Sequence, residues 1–197
     1  MSDTAGALAG CVAAGGVALF GADTVYGLCC DPRNAAAVDR LFELKGRPRG
    51  KPAALAFFNL DAALAALPEL GPRTRAAFHA LLPGPLTLLI GNEAGHFPLA
   101  GGALLGVRVI DVGIDLDAPV LQSSANLAGG PDPRTLDAVA ASIRAGVDLE
   151  LDRGELPGTP STVLDMSAFE VAGTYRVVRE GASTREAIER ALVGSRP

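Results

Sequence analysis

VALFGADTVYGL, residues 17–28, opens with an apolar run that gives way within three residues to a carboxylate, a hydroxyl and a phenol. A short apolar run bounded by glycine reads as a buried strand, here Val17–Phe20. Polar groups at the end of such a strand suit the mouth of a ligand crevice. Spacing alone fits a capped turn into the next element equally well. Upstream, residues 5–22 carry no charge, but Gly15-Gly16 interrupts them near the middle and Asp3, rather than a basic stretch, precedes them. The pattern predicts a helix over 4–14, a Gly-Gly turn and the buried strand, not a membrane span or signal peptide. A cytoplasmic protein with no membrane contact is expected.

Working outward, strands alternate with helices across the chain. Asn34 caps a helix that runs to Lys45 with Val38, Leu41 and Phe42 on one face, and Gly46 and Pro48 stop it. Strands are predicted at 53–58, 86–90, 106–110, 119–122, 148–151, 161–165 and 175–179. Helices are predicted at about 60–66, 73–82 and 135–145, with a last helix opened by the capping box Ser183-Thr184-Arg185-Glu186. The fold class is α/β with a mixed sheet. No linker, repeat or charge block divides the 197 residues, a length that suits one domain.

Composition narrows the function. A net charge of −5 excludes a general nucleic-acid coat, so contact with a polyanion must come from a local basic cluster. The three cysteines form no CxxC pair, which points to a reducing compartment and away from a disulfide framework or zinc site. There is no phosphate-binding GxxxxGK[ST], no GxGxxG after the first strand and no GxSxG elbow, and the two histidines, His79 and His96, lack ligand spacing. Of the seventeen basic side chains only Lys45 and Lys51 are lysines, and both fall in Lys45-Gly-Arg47-Pro-Arg49-Gly-Lys51. That density of cations in an acidic chain calls for an anionic partner, ATP or an RNA backbone; a solvated basic loop is the plainer alternative. Ser123-Ser124-Ala125-Asn126 and Pro160-Ser161-Thr162-Val163 add uncharged hydrogen-bonding groups at strand ends.

Taken in order, DTVYGL (23–28), FELKGRPRGKP (42–52), LLPGPLTLLI (81–90), VRV (107–109), SSANLAG (123–129), PSTVLD (160–165) and VVREGA (177–182) resemble the Sua5/YrdC/YciO family of threonylcarbamoyl-AMP synthases. The resemblance covers about residues 8–182. It implies a twisted mixed parallel and antiparallel sheet with flanking helices around a large concave groove, like that of dihydroxybutanone-phosphate synthase. It implies one YrdC-like domain over 1–197, closing on a helix at 183–193, without the additional C-terminal domain of longer Sua5 members. The implied reaction joins L-threonine, bicarbonate and ATP into L-threonylcarbamoyl-adenylate with release of pyrophosphate, assisted by Mg²⁺ without an identified protein ligand, for the t⁶A modification at position 37 of tRNA. By the same resemblance Lys45 and Arg47 are catalytic, Arg47, Lys51, Asn126 and Arg179 lie on the ATP side, and Thr24, Arg108, Ser124 and Ser161 hold threonine. It further implies tRNA or double-stranded RNA binding and partner proteins of the t⁶A pathway. The chain departs from the family pattern at Gly21-Ala22 in place of Pro-Thr, at Ala56 in place of a threonine-side His, and at Asp132-Pro133-Arg134. These departures leave two alternatives open: a non-catalytic RNA- or nucleotide-binding paralogue, or a carbamoyl-adenylate-forming domain of the carbamoyltransferase type.

Overall fold

A computed structural model describes residues 2–48 and 53–193, with side chains described from Thr4 onward. The strands are β1 (Ala18–Gly21), β2 (Tyr26–Cys30), β3 (Ala54–Phe57), β4 (Leu86–Gly91), β5 (Leu104–Val109), β6 (Val120–Ser124), β7 (Leu149–Leu151), β8 (Thr162–Asp165) and β9 (Arg176–Arg179). They form one sheet in the order β7-β1-β2-β6-β3-β5-β4-β8-β9. β1–β7, β3–β5 and β4–β8 pair parallel and the other neighbours pair antiparallel, so the sheet is mixed as the sequence predicts. The helices are α1 (Ser2–Ala13), α2 (Ala35–Leu44), α3 (Leu60–Ala66), α4 (Pro72–Leu81), α5 (Ala141–Arg144), α6 (Phe169–Ala172) and α7 (Arg185–Val193). Among the described residues, none of these helices is long and apolar enough to cross a membrane.

Strand side chains alternate between faces, and the two faces of this sheet have different fates. On one, Leu19, Leu28, Leu55, Phe57, Val107 and Leu121 join Val38, Leu41 and Phe42 of α2, Phe78 of α4 and Ile188 of α7 in the main core. On the other, Ala18, Phe20, Cys29, Ala56 and Val120 pack with Leu8 and Val12 of α1 into a smaller cluster. α1 lies over the β7–β1 end of that face, touching β1 and β7, and Ile110, Val112 and Ile114 join the same cluster. The remainder, over β6, β3, β5, β4 and β8, carries small or polar side chains (Ala54, Gly106, Arg108, Gln122, Thr87), and this uncovered stretch is where the site forms.

Several boundaries differ from the sequence reading. Residues 26–30 are a central strand, β2, fully buried along its length, where the sequence suggested only a polar strand end. β1 and β2 form a hairpin with Gly21 opposite Tyr26, so Ala22–Val25 is its loop, closed by Ala22 N–H donating to the Val25 carbonyl. The helix predicted over 135–145 is a 3₁₀ turn at Leu136–Ala138 and the short α5, because the backbone is extended at Val139 and Ala140 and buries Val139 in the core. The last helix begins at Arg185, with Thr184 rather than Ser183 as its cap: Thr184 Oγ1 accepts from Ala187 N–H. Ser183 is engaged elsewhere, exchanging two hydrogen bonds with Thr162 Oγ1.

Candidate active site

The β1–β2 hairpin loop brings Asp23 and Thr24 against Arg108 on β5. Arg108 Nη2 donates to Asp23 Oδ1 at 2.6 Å and lies 3.5 Å from Thr24 Oγ1, while Nη1 donates to Gln122 Oε1 at 3.1 Å. Burial pulls the Arg108 pKa down, opposed by the neighbouring Asp23 carboxylate. Asp23 Oδ2 and Arg108 Nε are buried with no hydrogen-bond partner, so the pair leaves acceptor and donor capacity unused. Gln122 can approach this closely because β2 carries Gly27 diagonally across from it, opposite Ser124; a Cβ there would sit 2.4 Å from Gln122 Nε2. The loop is strapped from both sides by Tyr26 N–H to the Pro133 carbonyl and Gly158 N–H to the Thr24 carbonyl. Tyr26 itself is fully buried, with its hydroxyl 2.5 Å from Asp152 Oδ1.

Lys45, the residue after α2, points into the turn that follows β6. Its Nζ donates to the Ser124 carbonyl, to the Asn126 carbonyl at 2.9 Å and to Asn126 Oδ1 at 3.0 Å. Those three bonds use the whole donor capacity of an ammonium. Burial, reinforced by Arg47, lowers the Lys45 pKa to about 8. Asn126 is equally committed: Oδ1 also accepts from Ser124 Oγ at 2.7 Å and Nδ2 donates to the Gly130 carbonyl at 2.7 Å. Lys45 and Asn126 therefore lock the end of β6. Arg47 reaches the same edge, with Nη1 3.4 Å from Ser123 Oγ, and burial lowers its pKa.

The third arm comes from β8 and β9. Arg179 Nη2 donates to the Ser161 carbonyl at 2.6 Å and to Ser161 Oγ at 3.2 Å, and Thr87 Oγ1 lies 2.8 Å from Ser161 Oγ. A bulge at Val163/Leu164 breaks the alternation of β9. As a result Val178 and Arg179, adjacent in sequence, both face the same cavity.

These arms enclose a cavity of about 300 Å³. Thr24, Arg47, Arg108, Ser124, Ser161 and Arg179 all line it, so six of the residues picked from the sequence meet in one place. Lys45 and Asn126 do not line it but are bonded to its wall, and Lys51 lies outside the described residues. Among the described residues three guanidinium groups line the cavity against the one carboxylate of Asp132, a balance that favours an anion. Ala56 is fully buried in the α1-side cluster, paired across the ladder with Arg108, and is not on the wall. No group of three or more His, Cys, Asp or Glu able to hold a metal occurs among the described residues. The donor set thus builds no protein cage for Mg²⁺, whose usual partners here would be a nucleotide's own phosphates. A larger hollow of about 820 Å³ lies among α4, α6 and α7, lined by Arg73, Tyr175, Arg185 and Glu189, and contains none of the convergent cations. Sequence reasoning missed Thr87 and Gln122. Thr87 stands as the one polar residue inside an apolar strand (LTLLI), a signal present in the pattern, whereas Gln122 merely opens the polar end of VLQSS.

The model of the Sua5/YciO/YrdC family, described as "Telomere recombination", matches residues 11–181. The chain belongs to the Sua5/YciO/YrdC family. It is 30% identical over 196 residues to the threonylcarbamoyl-AMP synthase of Pyrococcus abyssi, covering 93% of this chain and 56% of that protein. It is 34% identical over 183 residues to the threonylcarbamoyl-AMP synthase of Chromohalobacter salexigens, covering 86% of this chain and 98% of that one. The crystal structure of P. abyssi Sua5 complexed with L-threonine superposes with a TM-score of 0.83 at 27% identity, over 97% of this chain and 58% of that chain. The family member thus spans a little over half the length of the P. abyssi protein and nearly all of the C. salexigens one.

Proposed function

We propose that this protein synthesises L-threonylcarbamoyl-adenylate from L-threonine, bicarbonate and ATP, releasing pyrophosphate and water. The observation that carries the reading is the convergence of Arg47, Arg108 and Arg179 with the hydroxyls of Thr24, Ser124 and Ser161 on one cavity. Two anions, a threonine N-carboxylate and a triphosphate, must be brought together for a carbamate oxygen to attack the α-phosphorus. Fixed cations in a partly dry site stabilise that charge most effectively when they need not reorganise. Arg108 takes the threonine carboxylate, with Thr24, Ser124 and Ser161 around it. Arg47 and Arg179 face the nucleotide, the side to which the family resemblance also assigns Lys51. Lys45 and Asn126 act by holding Ser124 in place, and Lys45 adds positive charge behind the wall. No nucleophilic side chain is required, in keeping with a cavity lined by neither His nor Cys among the described residues. Mg²⁺, where bound, would be held by the nucleotide's own phosphates and would offset their charge. The adenylate then donates its threonylcarbamoyl group for t⁶A37 in tRNA. Cys11, Cys29 and Cys30 are free thiols, which suits a reducing cytoplasm. The test is pyrophosphate release by the purified chain with all three substrates and with each omitted in turn. Release only with the complete set supports the reading; release without threonine, or with carbamoyl phosphate in place of threonine and bicarbonate, overturns it.

A further inference from the structure

Thr87 and Ser161 form a hydroxyl pair inside the cavity, 2.8 Å apart, with Thr87 7% and Ser161 4% exposed. Arg179 can only donate, and its Nη2 supplies a hydrogen bond to Ser161 Oγ from one side. Among the described residues neither hydroxyl has another hydrogen-bond partner. The pair owns two hydroxyl protons and consumes one between its members. The other must find an acceptor, because a buried donor without a partner is costly. Both residues line the cavity, so the acceptor lies in it: water in the empty site, and a ligand oxygen once one displaces that water. With Thr87 donating, both lone pairs of Ser161 Oγ are filled and its remaining proton points at the ligand.

We infer that Thr87 is a positioning residue, which orients Ser161 as a hydrogen-bond donor to a carboxylate oxygen of the bound amino acid. This rests on the reading above that Ser161 lies on the threonine side. Thr87 can hold this post because β4 pairs with β8 in parallel, Thr87 opposite Val163, two residues beyond Ser161. The neighbouring Leu86 and Leu88 face the main core and fix the strand's register.

The experiment compares wild type, Thr87→Val, Thr87→Ser, Ser161→Ala and the Thr87→Val/Ser161→Ala double variant by steady-state pyrophosphate release, with melting temperatures alongside. Thr87→Val keeps the shape and removes the hydroxyl; it should raise the threonine KM by about three- to tenfold, as the loss of one hydrogen bond would. The ATP KM should stay unchanged, and Thr87→Ser should restore most of the threonine affinity. In the Ser161→Ala background the Thr87→Val change should add nothing, because Thr87 acts through Ser161. An unchanged threonine KM in Thr87→Val, an equal rise in the ATP KM, or full additivity in the double variant would overturn the inference. If Thr87→Val does not fold, Thr87→Ala carries the same comparison. Wild type that releases no pyrophosphate overturns the reaction instead; calorimetric binding of threonine alone then decides Thr87, with the same fold-change expected and an unchanged affinity counting against it.

Discussion

Replacing Asp23 by Ala removes the only carboxylate bonded to Arg108 among the described residues while leaving the guanidinium in place, with 5% of that side chain exposed. Asp23 is itself 16% exposed, so the pair sits where solvent screens little. Breaking a buried ion pair from one side costs about 3–5 kcal/mol, because the surviving charge is stranded. In a chain of this length, about 2–4 °C of melting temperature is lost per kcal/mol, so Asp23→Ala should melt about 6–20 °C below wild type. The measurement is thermal unfolding followed by circular dichroism, repeated in urea to check the free energy. The decisive companion is Asp23→Ala/Arg108→Met. Removing both charges leaves nothing stranded, so the double variant should regain most of the lost stability while binding no threonine. A single variant melting within about 2 °C of wild type would refute the reasoning. So would a double variant no more stable than the single, which would trace the loss to shape rather than to an unpaired charge.

Three further outcomes follow from the same geometry. Lys45, held near 8 in the folded protein against an ordinary value of 10.5, sheds its proton earlier than the unfolded chain does. Between pH 8 and 10.5 the unfolded state binds more protons, so the stability of wild type relative to Lys45→Met should rise with pH across that window; a flat or falling difference in urea unfolding contradicts it. Arg47→Ala should weaken ATP binding by about tenfold or more, the value of a charge-assisted bond, while a half-buried position keeps the melting temperature close to wild type; calorimetry showing unchanged ATP affinity would remove Arg47 from the site. Gly106 forms part of the cavity floor, and a Cβ there meets Ala54 and Leu89 at ordinary contact distance, 3.5 Å. Gly106→Ala should therefore be tolerated, whereas Gly106→Leu should fold but fill the cavity and abolish threonine binding; undiminished binding would mean the ligand sits elsewhere.

The sequence carried the elements whose signals are local. The Asn34 cap is made as expected, its Oδ1 accepting from Ala37 N–H, and the apolar face of α2 is buried as its spacing predicts. Strands such as Leu86–Gly91 and Thr162–Asp165 fall within a residue or so of their predicted limits. β2 was not legible, because its Tyr, Gly and paired Cys do not alternate: both faces are buried, one against α2 and the other in the smaller cluster, and a doubly covered strand loses its period. The order of the strands is set by long-range pairing that no local pattern encodes. For the site, residue types and family order picked out Thr24, Arg108 and Arg179, which the fold brings to one cavity, but gave no sign of how Lys45 is held. A lysine beside an arginine reads as a free cation until the Ser124 and Asn126 acceptors, some eighty positions away, are brought to it. The bulge that turns Arg179 into the cavity is likewise a property of the β8–β9 pairing rather than of either strand.

The central claim, that this cavity joins an amino acid, a one-carbon unit and a nucleotide, is tested most directly by following the carbon. The purified protein is incubated with ATP, threonine and ¹³C-bicarbonate, and the nucleotide products are separated by mass. A single adenylate carrying both the label and threonine is the expected product, absent when Arg108 is replaced by Met. Labelled carbon found without threonine, or AMP and pyrophosphate formed with no labelled adduct, would contradict the account.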